Sequence, residues 1–104
     1  NEDQYFKAAR NFSQQILTHE KMTTPERISY AYESVTSHVP DKSEASALLA
    51  GLKAFQIAYQ QDFPAAKALT LDIETLDQQQ RIDVAAYTML VNSLFNLDIT
   101  KTRE

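Results

Sequence analysis

Few residues of this chain can carry chemistry, and most of them stand alone. His19 and His38 are its two histidines. A helical metal site needs a second ligand three or four residues away on the same face, and neither histidine has one. Both fall at expected helix C-termini, where an imidazole can bond the last carbonyls and meet the negative end of the dipole. Asp72, Glu74 and Asp77 form an acidic segment. It lacks the glycine and the bidentate glutamate of a calcium loop, and no apolar neighbour would raise a carboxyl pKa for acid–base work. A solvated loop with a helix cap is the expected role.

With one glycine in the chain, neither a Gly-x-Ser-x-Gly elbow nor a glycine-rich phosphate loop can form, so nucleophilic hydrolase and P-loop chemistry are closed. Tyr30, Tyr32, Tyr59 and Tyr87 could build a carbohydrate or peptide platform, but helical spacing favours core rings with hydroxyls at the rim. Asn92 and Asn96, four residues apart, can bond neighbouring backbone or face a partner. No catalytic residue, cofactor-binding residue or metal ligand is assigned.

The elements that position these residues follow from composition. At 104 residues and 11.8 kDa, with 43% hydrophobic and 23% charged residues, the chain is expected to fold as a single helical domain over 1–104. Glycine and proline are too scarce for hairpins, while Ala, Leu, Gln, Glu and Lys are abundant. The fold class is all-α, a compact bundle of about five amphipathic helices. The net charge is -4, and residues 1–52 and 53–104 each carry five basic against seven acidic residues. No basic arm exists, so no nucleic-acid partner is expected. Without cysteine, disulfides and thiol-ligated metals are excluded and the redox compartment stays undetermined. The most apolar stretch, Val84 to Leu97, is shorter than a membrane span and interrupted by Asn92 and Asn96, so no membrane insertion is expected. Asn1-Glu2-Asp3 begins no signal peptide, and the absent initiator Met is in keeping with a C-terminal fragment of a larger protein.

Helical periodicity divides the chain into five. Asn1 with Gln4 caps a first helix on Tyr5, Ala8, Ala9, Phe12 and Ile16, ending near Thr18. Thr24 before Pro25 caps a second, on Ile28, Ala31, Tyr32 and Val35. Asp41 with Glu44 caps a third, on Ala45, Leu48, Leu49, Leu52, Phe55 and Tyr59, where Gly51 marks a close helix–helix approach. Asp62 opens a short fourth helix with Ala65, Ala66, Ala68 and Leu69. Thr70 to Asp77 reads as a loop. Asp77 with Gln80 caps the most apolar helix, with Ile82, Ala85, Ala86, Met89, Leu90 and Leu94 at the bundle centre, fading at Asn96.

That last helix, Asp83-Val84-Ala85-Ala86-Tyr87-Thr88-Met89-Leu90-Val91-Asn92, continues into Leu94-Phe95-Asn96-Leu97-Asp98 and Thr102-Arg103-Glu104. It resembles the closing motif of the bacterial domain-of-unknown-function family numbered fifteen fifty-three, typical of planctomycetes and related marine bacteria. Phe6-Lys7-Ala8-Ala9-Arg10 is similar to the family's Glu-Ala-Ala-Arg stretch, Arg27-Ile28 with Ala31-Tyr32 to its second helix, and Asp62 to Leu69 to its Asp-Pro-Ala-Ala segment. The sequence departs at Ile99, where the family usually has Glu, at Val39-Pro40, where Arg-x-Pro is common, and at Leu71-Asp72, where a Gly is missing.

The resemblance implies context. Such domains usually end long exported proteins that also carry another unknown domain and often a cytochrome c-like module. Placement in the periplasm, envelope or secreted fraction follows from it, with the upstream domains of the parent chain as partners. This chain has no Cys-x-x-Cys-His, so no cofactor is expected on it. The function expected is a non-catalytic C-terminal helical module that packs against or completes an exported or envelope protein, with polysaccharide handling one role open to such a parent. Two alternatives stay open: a contribution of Asp98, Asn92 or Asn96 to an active site completed upstream, and a free-standing helical adaptor. Substrate and oligomeric state are not encoded legibly.

Overall fold

A computed structural model describes the backbone of residues 2–103 and the side chains of 3–98. Its five helices are α1 (Glu2–Thr18), α2 (Thr24–Thr36), α3 (Lys42–Gln61), α4 (Phe63–Leu69) and α5 (Gln78–Arg103). Among the described residues there is no strand, and the architecture is the all-α bundle expected.

The starts of α2 to α5 are written in local hydrogen bonds. Asp41 Oδ1 accepts from Glu44 N at 2.7 Å while Glu44 Oε1 accepts from Asp41 N at 3.0 Å. Asp77 and Gln80 do the same, both at 2.8 Å. These reciprocal pairs satisfy donors that a helix start otherwise leaves open. Asp62 Oδ1 accepts from Ala65 N at 3.3 Å to open α4. On α2 the cap is Thr23, not Thr24: Thr23 Oγ1 accepts from Glu26 N at 3.3 Å and Glu26 Oε1 from Thr23 N at 2.9 Å. Thr24 would stand three residues before Arg27, which has no acceptor to return the bond, so the register moves back by one. The expected cap at Asn1 lies outside the described residues.

Helix α5 organises everything else. Ile82, Val84, Ala85, Ala86, Tyr87, Thr88, Leu90, Val91 and Leu94 are all buried, which is more than one face of a helix can supply. All four other helices pack on it. α1 and α3 flank it without touching each other among the described residues. Ala9, Ile16, Ile28, Ala31, Tyr32 and Leu52 close around it, and Ile82 and Ala85 join Ala66 in a smaller cluster that Tyr59 bridges to the main core. Buried hydroxyls are satisfied within their own helices. Ser13 donates to Ala9 O at 2.7 Å, Thr70 to Ala66 O at 2.8 Å and Thr88 to Val84 O at 2.6 Å, the back-bond open to hydroxyls on helices.

Three expectations are corrected. Met89 is only half-buried, because the helix presents Leu90, Val91 and Leu94 inward instead. Helix five does not fade at Asn96 but runs to Arg103; asparagine costs a helix only a fraction of 1 kcal/mol, about 0.7 at most, and neither Gly nor Pro follows to stop it. Gly51 marks no close approach, since a Cβ built there would meet nothing within 4 Å.

The chain thus places its single glycine where a side chain fits, and a serine where the backbone favours glycine. Ser37, ending α2, has φ 68°, a left-handed conformation that costs a side-chain-bearing residue about 1–2 kcal/mol. Gly51→Ala is expected to stabilise the fold by about 0.5–1 kcal/mol, and Ser37→Gly by about 1 kcal/mol. Urea denaturation of the two single variants and the double variant checks both, and the gains should add.

Candidate functional site

The polar side chains that sequence spacing singles out are mostly absorbed into structure. His38 caps the end of α2: its Nδ1 lies 3.2 Å from Thr36 O and its Nε2 3.0 Å from the Tyr32 hydroxyl. That hydroxyl donates to Glu44 Oε2 at 2.5 Å, so Glu44 both caps α3 and anchors a core tyrosine. The Glu44 bond, with burial adding to it, pushes the Tyr32 hydroxyl up to about 12. His19 stacks edge-on against Tyr30 at 6.3 Å, and its carbonyl accepts from Arg27 at 3.0 Å. The arginine therefore performs the carbonyl bonding expected of the imidazole. Tyr32 and Tyr87 are core residues, Tyr59 stands at the rim, and Tyr30 is exposed.

The acidic segment separates into unrelated roles. Asp72 stays exposed but forms a two-pronged pair with Arg10 of α1, the second contact at 2.7 Å. That pair holds its carboxyl below the ordinary value of 3.8. Asp77 caps α5, and Glu74 is exposed. Arg81 reinforces the same connection, donating to Thr70 O at 2.6 Å and Ile73 O at 2.9 Å. Among the described residues no group of three His, Asp or Glu side chains could hold a metal ion. None of the helices there is long and apolar enough to cross a membrane.

Two cavities lie along the antiparallel seam between α1 and α5. One, of about 390 Å³, is lined by Asp3, Tyr5, Phe6, Asn92 and Asn96. It unites the two amides of α5 with Phe6 and with Tyr5, a ring that helical periodicity assigns to the core face and that the fold leaves exposed. Tyr5 is 44% exposed and Leu97, one residue beyond Asn96, is 46% exposed. Asp98 is half-buried on the same stretch of helix but does not line the cavity.

The other cavity, of about 320 Å³, is lined by Gln14, Leu17, Thr18, Arg27, Leu76, Gln80, Asp83 and Val84. Burial pushes the Asp83 carboxyl above its ordinary value, against hydrogen bonds from Gln79 and Gln56 and the charge of Arg27. The Gln79 amide lies 3.1 Å from Asp83 Oδ1. A half-buried carboxylate of altered acidity in a cavity is a mark of binding sites. Reading the sequence missed this pair, because Arg27 and Asp83 are far apart along the chain and no local motif joins them.

Compared with models of protein families, with curated proteins and with solved structures, the chain matches none.

Two measurements follow from the polar contacts. In a spectrophotometric titration of the five tyrosines, a late phenolate component near pH 12 is expected, and Tyr32→Phe should remove it. The Tyr32 contribution is fully present below the ordinary value of 10.0 and is lost as pH rises through about 12. Near neutral pH Tyr32→Phe should cost about 1–3 kcal/mol, because Glu44 loses a bond in a part-buried place. Asp72 has the opposite sign. Its folded carboxyl is depressed, so its stabilisation is present above 3.8 and is lost as pH falls below that value through the folded one. The melting-temperature gap between the parent chain and Asp72→Asn should therefore narrow in acid.

Proposed function

We propose that this chain is a non-catalytic helical module that packs against, and completes, a larger exported or envelope protein. One observation carries the reading: the shared end of α1 and α5 presents a cavity lined by Tyr5, Phe6 and Asn92, with Leu97 exposed beside it. Aromatic rings supply contact area at low entropic cost, and amides can bond a neighbouring backbone, which is the composition of a protein-docking surface. The resemblance of residues 83–98 to the C-terminal motif of family fifteen fifty-three supplies the occupant, the upstream domains of the same parent. Within that motif Ala85, Ala86, Tyr87, Thr88, Leu90 and Leu94 are spent on the core, and Asn92, Asn96 and Leu97 are left toward the outside.

A second reading draws on the same cavity. Asn92 and Asn96 share it with Asp3, a set that could complete an active site begun upstream. In the full parent, Tyr5→Ala with Leu97→Ala should expose the module to limited proteolysis if docking is its role. Asn92→Ala should instead lower activity at unchanged protease resistance if the rival is right.

An antibody against this chain, applied to fractionated source cells, is expected to detect a band several-fold heavier than 11.8 kDa in the envelope or secreted fraction. A band near 11.8 kDa in the cytoplasm would overturn the proposal and leave a free-standing adaptor as the better account.

A further inference from the structure

Two arginines of this fold carry a buried Nε without a hydrogen-bond partner, Arg10 and Arg27. Their surroundings differ. Arg10 meets both oxygens of Asp72 and the carbonyl of Leu69, so its charge is balanced and its fork is filled. Arg27 makes one bond, to a neutral carbonyl, and no carboxylate forms an ion pair with it among the described residues. A buried Nε without a partner is uncommon, because buried polar groups are nearly always paired, and Nη1 of the same guanidinium has no partner among the described residues either.

Asp83 stands in the wall of the same cavity with a complementary deficit. Its carboxylate is oriented by the Gln79 and Gln56 amides, which leave part of its acceptor capacity open, and feels Arg27 without an ion pair to it. The cavity between them has about 320 Å³, at the small end of the roughly 300–1,000 Å³ of ligand sites. Leu17, Leu76 and Val84 give it an apolar wall, and Gln14 and Thr18 a polar rim. One cation with spare donors, one anion with spare acceptors and an apolar wall are the complement of one kind of molecule.

We propose that the cavity holding Arg27 and Asp83 binds a small zwitterion with an apolar side chain, its carboxylate on Arg27 and its ammonium on Asp83. The guanidinium fork matches a carboxylate in two places, and the amide-oriented carboxylate accepts an ammonium. The apolar wall covers the side chain. The site is independent of the docking surface, since residues 80–84 and 92–96 stand about 18 Å apart along α5 at its 1.5 Å rise.

The test uses the whole chain and defined probes: L-leucine, N-acetyl-L-leucine, which lacks the ammonium, and L-leucinamide, which lacks the carboxylate. Leucine is expected to shift the amide resonances of residues 14–18 and 76–84 saturably, with a Kd of about 1 mM. Each blocked probe should bind at least about tenfold more weakly. Arg27→Gln and Asp83→Asn should each weaken leucine by a similar factor, while the probe series keeps its meaning even if a variant misfolds. Leucyl-leucine distinguishes sources: tighter binding than leucine assigns a peptide, weaker binding a free amino acid, and both support the zwitterion site. Absence of saturable shifts up to about 50 mM leucine, or equal binding of a blocked probe, would overturn it.

Discussion

The structure depends on the burial of one helix from every side. A helix apolar on one stripe can rest against a single partner, but α5 buries Ile82, Val84, Ala85, Ala86, Tyr87, Thr88, Leu90, Val91 and Leu94, with five consecutive residues among them, and no single neighbour covers all of them. The other helices become a jacket. α1 and α3 lie on opposite flanks, α2 and α4 fill the remaining sides, and the short connections follow because each jacket helix must turn back onto the same axis. The buried hydroxyls are secondary to this. Ser13, Thr70 and Thr88 could be buried only because each has a carbonyl of its own helix to bond.

Much of this was legible, because helical periodicity and capping are local. The boxes at Asp41–Glu44 and Asp77–Gln80, the cap at Asp62 and the apolar stripes of α1 to α3 are encoded within a few residues of where they act. Where two hydroxyls competed, at Thr23 and Thr24, the glutamate three residues on decided, and that is visible in the sequence once both partners of the box are required. Gly51 was not legible. Whether a glycine is needed depends on what a Cβ would meet, and that is a property of the packed bundle. The same holds for the extent of α5, where the absence of a stop signal after Asn96 says more than the asparagine itself.

The site residues divide along the same line. His38 and Asp77 act on backbone within four residues of themselves, so their structural roles follow from position alone. Arg10, Arg27 and Asp83 act across the fold. Arg10 reaches Asp72 over 62 positions, and together with Arg81 it gives the aperiodic segment 70–77 an order that its own sequence does not provide. Long-range pairing of this kind leaves no local trace, so the solvent-exposed acidic segment with its cap at Asp77 is legible and the anchoring of Asp72 by Arg10 is not.

The positions of the two cavities follow from the jacket itself. Helices that cross at an angle touch closely at one place and part on either side of it. Along the seam of α1 and α5 the small residues Ala9, Ser13 and Ala86 are fully buried, so the backbones approach in the middle. Toward one end the seam is occupied by Tyr5, Phe6 and Asn92, toward the other by Gln14, Leu17, Asp83 and Val84. The larger, mixed side chains stand where the parting backbones leave space that apolar groups alone do not fill. A four-helix jacket this short closes at its waist and stays open at its ends, and both cavities lie at those ends.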